Sequence, residues 1–152
     1  MITIKFVCVG NLKEKFWIDA IVEYKKRLAK FCKFEIVEVA EQNKYQDIKK
    51  IIGVEGDDIL KNVEGKVYLL DIKGKEYDSE EFAKKIEQEM QSSSTITFVI
   101  GGSYGVSEKV KSQIKDKISF GKATYPHNLA RVILIEQIYR AFMINSGAKY
   151  HK

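Results

Sequence analysis

The sequence lacks the features that mark several large classes of protein. Its 152 residues include only two cysteines, Cys8 and Cys32, and neither stands in a metal-ligand spacing. Two thiols are too few for a disulfide framework, so we expect reduced side chains in or near the core of a cytoplasmic protein. No apolar run approaches the roughly 20 residues of a membrane-spanning helix. With two histidines and no carboxylate cluster in ligand spacing, we also expect no metal site.

Signals for export and for a domain boundary are missing as well. The N-terminus starts with a strand-like alternation from Ile2 to Val7 and lacks the basic region, apolar stretch and cleavage site of a signal peptide. No segment rich in proline, glycine and serine divides the chain, which contains one proline in all. We therefore expect residues 1–152 to form one domain, because this length suits a single core.

What the sequence does contain is an ordinary globular composition with an uneven charge. Hydrophobic residues make up 45% and charged residues 31%, and the net charge is +5. Residues 1–35 and residues 121–152 each carry a net charge of +4, which leaves the middle of the chain at −3. Basic ends suit a partner with many negative charges, such as a nucleic acid, while a solvated lysine-rich surface is the alternative.

Hydrophobic periodicity alternates between strand and helix along the chain. Strands are predicted at Ile2–Val9, Phe34–Val39, Val67–Leu70, Ile96–Ile100 and Lys117–Phe120. Helices are predicted after capping patterns at Asn11–Glu14, Asn43–Gln46 and Asp78–Glu81, ending near Ala29, Leu60 and Met90, with a short helix at Ser107–Lys115 and interruptions at Gly53 and Gly56. This order predicts an α/β fold, a mostly parallel sheet with helices on both faces.

The last predicted helix is unusually apolar. Pro126, the only proline, suits its first position, where a missing N–H is tolerated. From Leu129 to Ile144 apolar residues cover most of the circumference, with Arg131 on one side and Arg140 opposite. Such a helix must be buried on more than one side. We therefore expect a homodimer through this helix, with burial inside one chain as the alternative.

Four segments contain residues suited to binding or chemistry. Leu70–Lys75 and Gly101–Gly105 each follow a predicted strand, where ligands bind in open α/β sheets, although a glycine loop is as often a plain turn. Ser119–Arg131 is a glycine-containing loop that leads into the last helix. There His127 and Arg131 stand at i, i+4 and suit a phosphate or carboxylate, unless they are a capping histidine and a core-edge arginine. The tail Gly147–Lys152 is either frayed or suited to stacking and phosphate contact with RNA.

The order of these motifs resembles that of a known family. Leu-Asp-Ile-Lys-Gly-Lys at 70–75, Phe-Val-Ile-Gly-Gly-Ser-Tyr-Gly at 98–105, Thr-Tyr-Pro-His at 124–127, the helix from Arg131 and a terminal Tyr-His-Lys follow one another. Over essentially the whole chain this pattern resembles the SPOUT-class ribosomal RNA large subunit methyltransferase H family. Its members methylate N3 of a pseudouridine in 23S rRNA on assembled ribosomes, with S-adenosylmethionine (SAM) as cofactor.

The resemblance implies a C-terminal trefoil knot, which periodicity does not predict because knots are nearly absent from proteins. It implies a SAM site built from loops of the knot: Leu70, Gly101, Phe120, Gly121, Lys122, Ala123, Thr124 and Tyr125. On this basis His151, lent by the other subunit's tail, is the candidate base, and Arg131 and His127 are candidates for holding RNA or stabilising the imide anion. Lys149 and Tyr150 would contact RNA.

Three other readings stay open. Another SPOUT-class enzyme would methylate a tRNA or a ribose hydroxyl. A non-enzymatic RNA-binding or ribosome-associated protein would keep the fold with a decayed cofactor pocket. A nucleotide-binding regulator is disfavoured because no phosphate-loop fingerprint is present.

Overall fold

A computed structural model describes residues 1–152, with five strands and five helices alternating along the chain. The strands are β1 (Thr3–Val9), β2 (Lys33–Val39), β3 (Lys66–Glu76), β4 (Thr95–Ile100) and β5 (Lys117–Ser119). The helices are α1 (Lys15–Leu28), α2 (Ile48–Asn62), α3 (Ser79–Ser92), α4 (Glu108–Gln113) and α5 (His127–Asn145). Every predicted strand and helix is present, so the element order read from periodicity is confirmed.

The strands form one sheet in the order β2-β1-β4-β3-β5, and every neighbouring pair is parallel. The central strands β1 and β4 are almost wholly buried, as expected when helices cover both faces. One face packs against α1, α3 and α5 through the larger apolar cluster, and the other packs against α2 and α4 through a smaller one. The predicted α/β fold is confirmed, whereas the trefoil knot stays a prediction.

Strand β3 is longer than its sequence pattern indicates. The apolar run Val67–Leu70 predicted a strand that ends at Leu70, but β3 continues to Glu76 and pairs with β5 after a shift in register between Leu70 and Lys75. Gly74 permits this pairing, because a Cβ there would lie 2.6 Å from the backbone nitrogen of Ile118. The segment Leu70–Lys75 is therefore part of the sheet and not a loop beyond it.

The first residues and caps of the helices were predicted less accurately than the presence of the helices themselves. The box at Asn11–Glu14 does not form: α1 begins at Lys15, and Glu14 makes no side-chain capping bond. Helix α2 is capped by Asp47 and runs without interruption through both of its glycines. Asp78 is a cap as predicted, accepting from the N–H of Glu81 at 2.7 Å. Pro126 precedes the first turn of α5, because its ψ of 140° is not helical.

Cys8 and Cys32 are both free and buried in the core, as predicted. Burial raises the pKa of each thiol to about 12, so both are protonated at neutral pH. No helix has the combination of length and apolar composition that crossing a membrane requires.

Candidate functional site

A cavity of about 600 Å³ opens at the carboxyl-end edge of the sheet. It lies where β4 ends in the glycine loop, beside the middle of β3 and the loop that follows β5. These three segments meet because β3 lies between β4 and β5 in the sheet. The first turns of α5 close the remaining side through His127, Ala130 and Ile133. Ligands of parallel α/β sheets bind at this edge.

Most of the predicted cofactor residues converge on this cavity. Its walls include Leu70, Gly101, Phe120, Gly121, Ala123, Thr124 and Tyr125. Lys122 does not line it, and its side chain is exposed. Residues from three distant parts of the chain are thus brought together as the resemblance implied. Their contacts with a cofactor stay a prediction.

The loop after β5 has a defined shape. Gly121 has a φ of +117°, in the region that favours glycine. Ser119, which is buried, accepts from the N–H of Gly121 at 3.2 Å and donates to its carbonyl oxygen at 2.8 Å. Ser119 thus bonds to both backbone groups of Gly121, and Phe120 before this glycine and Ala123 after it line the cavity with it.

Two further features shape the cavity. A Cβ on Gly101 would lie 2.8 Å from Cγ1 of Val106, so this position has no room for a side chain. At the rim, Ile72, Tyr104 and Tyr125 are 48%, 57% and 41% exposed. Exposed apolar side chains grouped around a cavity indicate a surface that another molecule covers.

Arg131 does not face this cavity. Its side chain is 1% exposed, and its guanidinium donates to Glu38 at 2.6 Å and to the carbonyl oxygen of Gly10 at 3.3 Å. These partners lie at the ends of β2 and β1, away from the cavity lining. The expectation that Arg131 holds RNA or stabilises an anion is therefore corrected: within this chain it is a buried charge that ties α5 to the sheet. His127 lines the cavity, so the predicted pair is split.

The C-terminal tail is not frayed. Gly147, with a φ of +76°, ends α5 and turns the chain back along the helix. The ring of Tyr150 packs edge-on against Tyr139 at 5.0 Å, and its hydroxyl donates to Glu136 at 2.8 Å. Burial, followed by this bond to a carboxylate, raises the pKa of Tyr150 to about 12, which keeps the phenol protonated. The tail thus lies against α5 of its own chain and does not line the cavity.

The comparison with known families agrees with this geometry. Residues 2–151 match the family described as "Predicted SPOUT methyltransferase". The chain belongs to the SPOUT methyltransferase family.

Similar proteins cover this SPOUT methyltransferase from end to end. A "Ribosomal RNA large subunit methyltransferase H" from Lactobacillus acidophilus is 54% identical over 157 residues, covering 98% of this chain and 99% of that protein. Proteins of the same name from Lactobacillus delbrueckii subsp. bulgaricus and Latilactobacillus sakei are 52% and 49% identical with the same coverage.

A solved structure supports the fold. A protein from Legionella pneumophila, described as a methyltransferase in complex with SAM, superposes with a TM-score of 0.52 over 93% of this chain and 66% of that one. At 11% identity this likeness concerns the fold alone.

The cavity of this SPOUT methyltransferase fits SAM in size and lining. About 600 Å³ is within the usual range of small-molecule sites. Leu70, Ile100 and Ile133 provide apolar walls suited to an adenine, and Asp71 is the one acidic residue in the lining. The missing Cβ of Gly101 allows the backbone to approach a ligand closely. When bound, SAM supplies a methyl group that is already activated on a sulfonium.

Several lining residues were not assigned from the sequence. Asp71, Ile72 and Tyr104 lie inside segments that the sequence marked as candidates, so the strand-end rule located them without naming them. Lys111 and Ile133 had no such signal, because each lies on a helix whose orientation only the fold defines.

Proposed function

We propose that this chain methylates N3 of a pseudouridine in 23S rRNA of the assembled ribosome, with SAM as the methyl donor. The observation that supports this most directly is the three-segment cavity, whose walls hold seven of the eight residues that the family resemblance assigned to the cofactor. The full-length relatives named ribosomal RNA large subunit methyltransferase H support the substrate class.

Methyl transfer from SAM mainly requires that the reacting atoms are aligned. The donor methyl is activated, so the protein must hold the reacting atoms about 3–3.5 Å apart in line. The backbone of Gly101 and of the Phe120–Tyr125 loop would hold the cofactor, and His127, at the cavity wall, would meet the substrate side. Lys149, Tyr150 and His151 would approach the RNA from the tail of a second protomer.

A homodimer is the second part of this proposal. The outward face of α5 carries Leu129 and Ile133 near the cavity, and both are only partly covered by their own chain. Together with the exposed rim residues Ile72, Tyr104 and Tyr125 they form an apolar surface beside the cavity. A second copy covering this surface would bring its tail towards the cofactor. Sedimentation equilibrium tests this, and a monomer at micromolar concentration would contradict it.

We expect a cytoplasmic enzyme with a trefoil knot and no metal requirement. No group of three or more His, Cys, Asp and Glu side chains is arranged to hold a metal ion. Activity that is unchanged by EDTA is the expected result, whereas restoration by one added divalent cation would contradict it.

The activity itself is tested with purified ribosomes from a strain that lacks this gene, under single-turnover conditions with labelled SAM. The expected product is N3-methylpseudouridine, identified by mass spectrometry of 23S rRNA nucleosides. Label in tRNA or on a ribose hydroxyl would replace this substrate with another. The absence of SAM binding by calorimetry at millimolar ligand would favour an RNA-binding protein without activity.

A further inference from the structure

The end of the tail is held by a polar network on the outward face of α5. Arg140 contacts Glu136 through two nitrogens, each at 3.2 Å, and its remaining terminal nitrogen lies 3.2 Å from Nδ1 of His151. The guanidinium also stacks over the ring of Tyr150, 4.7 Å from its centroid. Arg140 therefore contacts Tyr150, His151 and the carboxylate of Glu136, to which Tyr150 also donates.

The protonation of this network follows from the chemistry of its members. The hydrogen bonds that Arg140 donates to Glu136 raise the pKa of Arg140, so the guanidinium stays charged and only donates. Nδ1 of His151 must then accept through its lone pair, and the proton of the neutral imidazole is on Nε2. Nε2 lies 3.7 Å from the carboxylate of Glu80, which is beyond hydrogen-bond distance for a neutral ring and within ion-pair distance for a protonated one, and the His151 side chain is 27% exposed.

We propose that Arg140 and Glu136 are positioning residues that present His151 as a neutral N–H donor, and that His151 assists methyl transfer as a donor and not as a base. This rests on the proposed function. The basic nitrogen of the imidazole is occupied by Arg140, so no lone pair is free to take the N3 proton. The Nε2–H is free to donate to a carbonyl oxygen of the pseudouridine ring, where the negative charge of the imide anion concentrates.

The atoms balance without a base from this residue. The N3 proton leaves to water before transfer, and the nitrogen lone pair forms the N–C bond as the C–S bond breaks, with the electron pair remaining on sulfur. Donation from His151 stabilises the anion that attacks. This role differs from the base role that the family resemblance suggested for the same residue.

Two substitutions separate a donor from a base. His151→Gln keeps an N–H donor near the position of Nε2 and has no basic nitrogen, whereas His151→Ala removes both. Removing a donor of this kind costs about 10²–10³-fold in rate. We expect single-turnover methylation to fall about 10²-fold or more in His151→Ala and less than about 10-fold in His151→Gln. Equal losses in the two variants, with unchanged melting temperatures, would overturn the donor role.

The positioning role is tested at Arg140. We expect Arg140→Met to lower the single-turnover rate at saturating ribosomes about 10-fold with little change in KM, and Arg140→Lys to recover part of the loss. Arg27→Met is the matched control, since Arg27 also pairs with a glutamate at i−4 and does not touch His151. An Arg140→Met rate equal to that of the control would overturn the positioning role.

A measurement independent of activity completes the test. The chain has two histidines, so ¹⁵N NMR of histidine-labelled protein at pH 8 shows two imidazoles, and His127→Gln assigns them. We expect a bare, hydrogen-bonded Nδ1 and a protonated Nε2 in His151, with the Nδ1 shift moving to that of a solvated ring in Arg140→Met. A proton on Nδ1 would overturn the inference. If the wild type fails to methylate ribosomes, the proposed function fails, and the NMR result still decides the protonation of His151.

Discussion

The two arginines of α5 lie about two and a half turns apart on opposite sides of the same helix, and they differ in almost every respect. Arg131 is 1% exposed, and its charge is met by Glu38 of β2. Arg140 is 26% exposed, and it contacts Glu136 of its own helix together with the tail. The first arginine joins α5 to the sheet, and the second joins the tail to α5.

The comparison teaches that the residue type alone does not locate a site. Arg131 lies one turn after His127 in a loop-to-helix motif, which made it the obvious candidate for binding an anion. Its side of the helix faces the protein interior, so its charge is used for internal pairing. Arg140 lies in the apolar run of the helix motif and was assigned no role from the sequence, yet its side faces outward, where the chain end returns.

The largest expected effect is at the ion pair of Arg131, which is buried, with Glu38, which is 38% exposed. Glu38→Ala leaves the guanidinium of Arg131 buried without its carboxylate, and we expect a loss of about 3 kcal/mol in the free energy of unfolding. Glu136→Ala removes the partner of the partly exposed Arg140, and we expect a loss below about 1 kcal/mol in the free energy of unfolding. Urea denaturation with a common m-value measures both. Equal midpoints for the two variants would remove the distinction between the arginines.

The contrast between the two arginines would no longer hold if Arg131 acted on the substrate. We expect Arg131→Met, which keeps length and removes charge, to bind SAM and to methylate ribosomes at a rate within about 10-fold of wild type at a temperature where it is folded. A folded variant that binds SAM normally and methylates about 10³-fold more slowly would return Arg131 to the catalytic residues.

The next effect concerns the cavity at the N-terminal end of α5. Gly101→Ala places a methyl 2.8 Å from Val106, so we expect a stability loss of about 1–3 kcal/mol and SAM binding at least about 10-fold weaker by calorimetry. Gly53→Ala is the matched control, because its Cβ meets nothing within 4 Å in the middle of α2. We expect that control to gain about 0.5–1 kcal/mol and to bind SAM normally. Normal affinity in Gly101→Ala would remove this glycine from the cofactor site.

A smaller effect is expected at the C-terminal end of α5, where the tail packs. Tyr150→Phe removes the hydroxyl that donates to Glu136 and keeps the ring on Tyr139, so we expect a loss of about 1 kcal/mol or less. We also expect the single-turnover methylation rate to fall, and by a larger factor than the loss of folded protein explains, because the tail carries His151. Tyr45→Phe, at an exposed loop position, controls for loss of a hydroxyl. Unchanged methylation in Tyr150→Phe would separate the tail's order from activity.

The smallest effect has the opposite sign and concerns a buried charge without a cation. Glu55 is 4% exposed, and its carboxylate accepts from the N–H of Gln42. Burial raises its pKa above the ordinary value of 4.5, so the folded state holds the proton more tightly than the unfolded chain. Stability contributed by this group is therefore present below pH 4.5 and is lost as the pH rises through the raised pKa.

We expect Glu55→Gln, which keeps an acceptor for Gln42, to melt at a slightly higher temperature than wild type at pH 7. The gain in the free energy of unfolding should be smaller in size than the loss of about 2–5 kcal/mol that is typical of core truncations. The difference should shrink towards pH 4. Thermal melts over pH 4–7 measure it. A variant that is less stable than wild type at pH 7 would show that the charge of Glu55 is itself stabilising.

How much of this molecule the sequence predicts depends on the range of the interaction. Strand and helix order follow from local periodicity, and the cap at Asp78 follows from a side chain that reaches its own helix. The extension of β3 past Leu70 escaped prediction, because polar residues there are held by pairing with β5. The cavity was predicted in part, since residues after strand ends are marked locally, whereas Ile133 depends on how α5 is rotated.

By itself the sequence determined the alternating α/β order, the apolar character of α5 and, through family resemblance, seven of the residues that line the cavity. Tertiary structure alone decided which side of α5 meets the sheet, and hence that Arg131 is buried while Arg140 is available to the tail. The reason is physical: periodicity records that a helix has two sides, but the direction in which each side points depends on partners far away in the chain. The same reason underlies our proposal for His151, whose Nδ1 lies 3.2 Å from Arg140 only because the fold returns the tail to α5.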